Sequence, residues 1–258
     1  MRGGPEVQLL ELKLIGIGTG NPEHLTLQAI REMRDCDLIL LPRKGADRQD
    51  LADLRRGICE EHLGATTRIV EFDMPVRNEA IISYRQRVDA WHDEIAERWM
   101  EAISAHGTAG RVGLLVWGDP SLYDSTIRIA ERLSTRVDLQ LTIIPGVTSL
   151  QGLTAAHGIP LNEIAKPVVI TTGRRLREEG FPDGADTVAV MLDGECSFTC
   201  LDPAGLDIWW GAYVGMAQEA IMAGPLRDLA GPIETRRAEL RAENGWIMDI
   251  YLLRRRTA

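Results

Sequence analysis

The sequence predicts a two-domain α/β protein with a mostly parallel first sheet and a more mixed second one. Three observations carry that expectation. Short apolar runs alternate with helix-period segments through the first 157 residues, the pattern of a parallel sheet. Three of those runs end in glycine-containing polar turns. After residue 167 the rhythm changes, with strand-like runs outnumbering helical ones.

The elements follow in order. Leu12–Gly18 is an apolar run that reads as a buried strand. A helix is expected over Pro22–Arg34, with Asn21 as its cap and Pro22 in its first turn. Asp37–Leu41 reads as a strand stopped by Pro42, Asp47–Leu63 as a helix, and Ile69–Met74 as a strand. Glu79–His106 carries a long helical pattern. Arg111–Trp117 is the next strand, closed by Gly118-Asp119-Pro120. Tyr123–Leu133 reads as helix, Leu139–Ile144 as strand and Thr148–His157 as helix. The domain boundary is expected around Gly158–Pro167, giving domains of residues 1–158 and 159–258. In the second, strands are expected over Val168–Thr172, Thr187–Leu192, Ile208–Gly215 and Trp246–Leu253, and helices over Gln218–Met222 and Pro232–Ala242.

Composition narrows the function. The 258 residues are 45% hydrophobic and 26% charged, with a formal net charge of -9. That balance counts against a general nucleic-acid or anionic-membrane binder, which needs a cationic face. No apolar run approaches the roughly 20 residues that span a bilayer, and Glu6, Glu11 and Lys13 interrupt the apolar N-terminal stretch, so no signal peptide is read. Cys36, Cys59, Cys196 and Cys200 are too few for a disulfide scaffold and lack zinc spacing with histidine. Free thiols in the cytoplasm are expected, and no metal.

The first chemical motif is Gly16-Ile17-Gly18-Thr19-Gly20-Asn21-Pro22. A dinucleotide loop, G-x-G-x-x-G, fails at its third glycine, which falls on Asn21, and the second strand ends in Pro42-Arg43 rather than an acid. The second motif is Trp117–Tyr123 and the third Pro145–Ser149. Each alone is an ordinary turn or helix start. Together they put three polar turns after three strands, and ligands of open α/β sheets bind outside the carboxyl ends of the strands.

Gly16–Thr26, Gly118-Asp119-Pro120 and Pro145–Ser149 resemble, in order and separation, the hallmark loops of the tetrapyrrole methylases. The resemblance runs from about Leu14 to Leu226. It implies a homodimer of two α/β domains with S-adenosyl-L-methionine folded in a cleft between them, and S-adenosyl-L-homocysteine as product. By family position the cofactor is lined by Gly18 and Thr19 (most relatives carry proline at the latter), by Trp117, Gly118, Asp119 and Leu122, by Thr148 and Ser149, and by Met191, Tyr213 and Val214. The residues alone leave alternatives. Met191, Tyr213 and Val214 also suit a core, and Asp119 also suits a carboxylate that caps its own turn.

Finer stretches, Arg43–Cys59, Thr171–Leu176 and Trp209–Ala223, resemble the branch of the family that methylates precorrin-5 at C-1 and releases its acetyl group as acetate, in aerobic cobalamin biosynthesis. A carboxylate-rimmed tetrapyrrole suits arginine forks. Arg43, Lys44, Arg174 and Arg175 are therefore candidates for the substrate; Arg55 and Arg56 follow in the next helix, and Arg254, Arg255 and Arg256 read as a solvated tail. No nucleophile motif is present. Tyr123 and Asp124 are the nearest polar candidates for orienting a water in deacetylation. The rivals are another methyltransferase of the same fold (other precorrin position, uroporphyrinogen, rRNA or diphthamide), a nicotinamide-dependent oxidoreductase, and a non-catalytic binding subunit.

Overall fold

A computed structural model describes residues 9–43, 49–63, 67–107 and 110–256. They form two compact units, one running up to Gly18 and over Pro22–Val147, the other combining Thr19–Asn21 with the chain from Thr148 onward.

The first unit carries β1 (Leu10–Gly16), α1 (Leu27–Asp35), β2 (Leu38–Arg43), α2 (Gln49–His62), β3 (Arg68–Asp73), α3 (Tyr84–Ala105), β4 (Arg111–Val116), α4 (Thr126–Ser134) and β5 (Leu139–Ile144). Its sheet has the order β3-β2-β4-β1-β5, and every pairing is parallel. Side chains alternate across it. Leu12, Leu14, Leu40 and Leu114 pack with Ile95, Trp99 and Ile103 of α3 and Leu133 of α4. Ile15, Ile39 and Leu115 pack with Met33 of α1 and Ile58 of α2. A sheet covered on both faces explains why its strands read as continuous apolar runs.

Local chemistry moves several boundaries. Thr26, not Asn21, caps α1, its hydroxyl accepting the Ala29 N–H at 2.9 Å, and Pro22–His24 form a separate 3₁₀ turn. β2 runs through Pro42 to Arg43. Its pairing with β4 ends at Leu40, so the missing proline N–H falls where the strand is bonded on one side only. Tyr123 is not helical. Its φ of 50° is left-handed, and α4 starts at Thr126.

Lys13 stands midway along β1, 6% exposed, with Nζ 2.8 Å from Glu32 and 2.6 Å from Asp35 on α1. Arg111 ties Asp35 and Asp37 alongside. Bonds from Lys13 hold Glu32 and Asp35 below their ordinary pKa values of 4.5 and 3.8, and bonds from Arg111 do the same for Asp37. Burial pulls the Lys13 pKa down, but its bonds to Asp35 and Glu32 outweigh that and raise it. The carboxylates bind protons more readily unfolded than folded. Their stabilisation is therefore complete above pH 4.5 and is lost as pH falls through the folded values. Lys13 contributes below its ordinary 10.5 and is lost above it. Urea midpoints of the wild type should fall below pH 4.5, and those of Lys13→Met should fall less steeply. Equal slopes would show that the acid sensitivity lies elsewhere.

The second unit carries α5 (Ser149–His157), β6 (Val168–Thr172), α6 (Gly173–Glu179), β7 (Thr187–Met191), β8 (Leu206–Ala212), β9 (Ala220–Pro225), α7 (Leu226–Asn244) and β10 (Asp249–Arg255). Its sheet has the order β6-β7-β10-β8-β9. Only β6–β7 is parallel; the β7–β10, β10–β8 and β8–β9 pairs are antiparallel. The helix expected over Gln218–Met222 is instead the approach to β9 and its first three residues, with Met222 facing Trp210 and Ala223 facing Trp209. The helix formers in QEAIMA lose to cross-strand pairing. α6 has no counterpart among the expected elements. α7 begins six residues before Pro232 and holds that proline inside it.

Trp210 is fully buried, and Trp209 lies beneath the Arg254 guanidinium at 5.1 Å. One further expectation is corrected: the last arginines are not a solvated tail. β10 extends to Arg255, Arg254 is buried, Arg255 stacks on Phe181 at 4.3 Å and Arg256 bonds Asp207. Alternating strand geometry gives each of them a partner. All four cysteines are free. Among the described residues, no helix is long and apolar enough to cross a membrane.

Candidate functional site

Strands β4, β1 and β5 are neighbours, so their carboxyl ends bring the three glycine turns side by side. Gly118 donates its N–H to the Gly18 carbonyl at 2.8 Å, and Gly18 returns the bond at 3.4 Å. The third turn is closer still. A Cβ on Gly146 would stand 2.0 Å from the Gly118 carbonyl oxygen and 2.9 Å from Gly16. Bare backbones touch here, which only glycine permits. Gly18 and Gly118 are also left-handed, with φ of 76° and 63°.

Asp119 locks this contact. Its Oδ2 accepts the Gly146 N–H at 2.9 Å, and its Oδ1 accepts the Ser121 N–H at 2.8 Å and the Ser121 hydroxyl at 2.5 Å. Burial would raise its pKa, but these bonds outweigh it and hold the carboxyl below its ordinary range. Both oxygens thus serve the chain's own turns, so Asp119 shapes the site. Leu122 closes the turn, donating its N–H to the Asp119 carbonyl at 3.2 Å. Trp117 is half-buried, and its indole Nε1 is enclosed without an acceptor among the described residues. Tyr123 is 43% exposed. The Asp124 Oδ1 accepts from the Thr126 N–H and hydroxyl at 2.7 and 2.5 Å, so one of its two oxygens is committed to starting α4.

In the second unit, Thr148 caps α5, accepting the Leu150 N–H at 3.2 Å, while Gln151 reaches back to the Thr148 N–H at 3.1 Å. Ser149 is the first helical residue. Thr19 and Val214 meet at α5: a Cβ on Gly152 would come within 3.2 Å of both. Tyr213 is fully buried with φ 51°. Its hydroxyl donates to the Trp246 carbonyl, its ring meets Trp246 edge-on at 4.8 Å, and burial raises its pKa. A non-glycine residue in that conformation is held by its surroundings, as at ligand clamps. Met191 ends β7, half-buried, opposite Thr172.

The arginines expected to meet a substrate differ in what they already hold. Arg43 makes a two-point contact with Asp73 at 3.0 and 3.1 Å. Lys44 lies outside the described residues. Arg174 and Arg175 are exposed on α6, and Arg175 forks onto Glu179 at 2.7 and 2.9 Å. Arg55, named in the sequence only as part of a basic cluster, is brought directly over Trp117. The signal was an aromatic residue at a strand end, but pairing it with an arginine 62 positions earlier requires the β2–β4 adjacency.

Known proteins bear on this arrangement. The family model of the tetrapyrrole (corrin/porphyrin) methylases matches residues 11–230. The precorrin-6A synthase (deacetylating) of a Sinorhizobium species is 46% identical over 254 residues, 97% of each chain. Among solved structures, the cobalamin synthesis related protein CobF of Corynebacterium diphtheriae is 36% identical, with a TM-score of 0.80 over 95% of this chain and 99% of that one. The uroporphyrin-III C-methyltransferase of Thermus thermophilus, solved with S-adenosyl homocysteine, shares the fold at 19% identity, with a TM-score of 0.57 over 94% of this chain and 96% of that one. With its glycine turns joined at the ends of a parallel sheet and the family's pattern matched over residues 11–230, the chain belongs to the tetrapyrrole methylases.

Proposed function

We propose that this protein transfers a methyl group from S-adenosyl-L-methionine to C-1 of precorrin-5 and releases the acetyl group as acetate, forming precorrin-6A in aerobic cobalamin biosynthesis. The observation that carries the reading is the 46% identity over 97% of both chains to a precorrin-6A synthase. The glycine turns fit the donor. They offer backbone groups with no side chain in the way, as an adenine and an amino acid head require, and they hold an ionised Asp119 beside them, compatible with a cation.

When bound, the donor supplies an already activated methyl group, so the chain's task is alignment and exclusion of water. Gly18, Trp117, Gly118 and Leu122 line the cofactor, with Asp119 holding the turns in register. Thr19, Thr148, Ser149, Met191, Tyr213 and Val214 contribute from the second unit, Tyr213 through its backbone because its hydroxyl is engaged. Arg43, Lys44, Arg174 and Arg175 meet substrate carboxylates. Tyr123 and the uncommitted oxygen of Asp124 orient the water that takes up the acetyl group. The protein works in the cytoplasm as a homodimer, a state read from the family and tested by sedimentation at twice the chain mass.

The decisive experiment is incubation of the purified protein with S-adenosyl-L-methionine and precorrin-5. One S-adenosyl-L-homocysteine and one acetate should form per precorrin-6A. Methylation without acetate would point to another position on the macrocycle. Replacing both Arg174 and Arg175 by alanine should raise KM for precorrin-5 about tenfold or more, each charged contact contributing about 1.5–3 kcal/mol. Unchanged KM would assign the pair to solvation of α6.

A further inference from the structure

Arg55 differs from the other arginines of its cluster in what it holds. Arg43 is engaged by Asp73, and Arg56 bonds Asp53 at 2.6 Å and Glu71 at 2.5 Å. In these two the fork already bonds the chain's own carboxylates, which a substrate carboxylate would have to displace. Arg55 reaches from α2 to the end of β4. Its Nε donates to the Leu115 carbonyl at 3.3 Å, and its guanidinium lies 4.9 Å from the Trp117 ring centre. Among the described residues no carboxylate pairs with it. Asp124 acts on it only through its field. One edge and one face of the guanidinium are therefore fixed, while its terminal amino groups donate to no described residue.

That arrangement is costly as it stands. The side chain is only partly open to solvent, and the protein around it lowers its pKa to about 10. It stays charged at neutral pH, and a partly desolvated charge with no bonded carboxylate among the described residues gains more than a solvated one when an anion arrives. Stacking on an indole also fixes the plane of the fork, so little freedom remains to be lost on binding. The fork sits beside Trp117, the residue that leads into the Gly118 turn.

We propose that Arg55 is a specificity-determining residue that binds a rim carboxylate of the tetrapyrrole, with Trp117 as the platform that orients it. This rests on the functional reading above, and names which guanidinium of the cluster is reserved for the substrate. A planar macrocycle edged with acetates and propionates presents what a pre-aligned fork accepts at two points.

The test compares wild type, Arg55→Met and Arg55→Lys on two ligands measured separately. Calorimetry reads S-adenosyl-L-homocysteine, and tryptophan fluorescence quenching reads uroporphyrin, a stable tetrapyrrole with eight carboxylates. Arg55→Met should bind uroporphyrin about 10–100-fold more weakly, the loss expected for one charge-assisted contact, with S-adenosyl-L-homocysteine affinity within twofold of wild type. Arg55→Lys keeps the charge but not the fork and should fall between. It also serves if the methionine variant folds poorly. Unchanged uroporphyrin affinity in either soluble variant overturns the proposal. So does a fall confined to S-adenosyl-L-homocysteine, which would place Arg55 on the cofactor. The broader reading fails separately. If wild type converts no precorrin-5 yet binds uroporphyrin in an Arg55-dependent way, the reaction is misassigned and the carboxylate site stands.

Discussion

Gly146→Ala should weaken S-adenosyl-L-homocysteine binding by about 30–150-fold, more than any other single methyl group added to this chain. The methyl would stand 2.0 Å from the Gly118 carbonyl oxygen and 2.9 Å from Gly16. All of these atoms are backbone, so no side chain can swing aside. The turns after β4 and β5 must separate, which strains the Asp119 bond to the Gly146 N–H and the reciprocal Gly18–Gly118 pair. Losing two or three hydrogen bonds' worth of preorganisation, each about 1 kcal/mol, gives that factor. The strain itself should lower stability by about 1–3 kcal/mol. Gly194→Ala is the control, because nothing lies within 4 Å of its added methyl. It should behave as wild type in both calorimetry and thermal melting. Normal cofactor affinity in Gly146→Ala would remove the three-turn junction as the binding site.

The junction was legible in the sequence only in part. Three glycine turns after three apolar runs point to one sheet edge, but the chain order does not say that β1 lies between β4 and β5. That adjacency turns Gly16, Gly118 and Gly146 from three ordinary turns into one packed contact. Asp119 shows the same limit. A carboxylate that caps its own turn and one that joins two turns look identical in sequence, and here the same side chain does both, through Ser121 and Gly146.

Elements buried on both faces were readable because their apolar runs are continuous. β4, at Arg111–Val116, and β7, at Thr187–Met191, fall within the runs expected for them. Failures cluster where a long-range partner decides. β9 is rich in helix formers, yet it pairs with β8 through Met222 and Ala223. Thr26 displaces Asn21 as a cap because a 3₁₀ turn intervenes. Arg254 looked like part of a charged terminus because its partners lie 67–94 positions away.

Arg254→Ala is accordingly expected to be among the most destabilising charge removals in the chain. The side chain is 9% exposed. Its Nε donates to the Thr187 hydroxyl at 2.9 Å, Nη1 to Glu163 at 2.7 Å, and Nη2 to the Pro160 and Leu161 carbonyls at 2.8 and 3.1 Å. Its plane also covers Trp209. One fork thus ties β10 to β7 and to the segment that leads from α5 to β6. Truncation leaves two carbonyls and a hydroxyl without their donor and uncovers an indole face. A loss of about 3 kcal/mol follows at roughly 1 kcal/mol per bond, or about 6–12 °C in melting temperature for a chain of this size. Arg254→Lys should recover less than half, because one ammonium cannot follow a planar fork to four acceptors. Arg256→Ala is the contrast. It removes an exposed contact with Asp207, and its melting curve should overlay that of wild type. If Arg254→Ala and Arg256→Ala melt together, the buried fork contributes no more than an exposed charge, and the segment from Pro160 to Glu163 must be held to the sheet by its own packing.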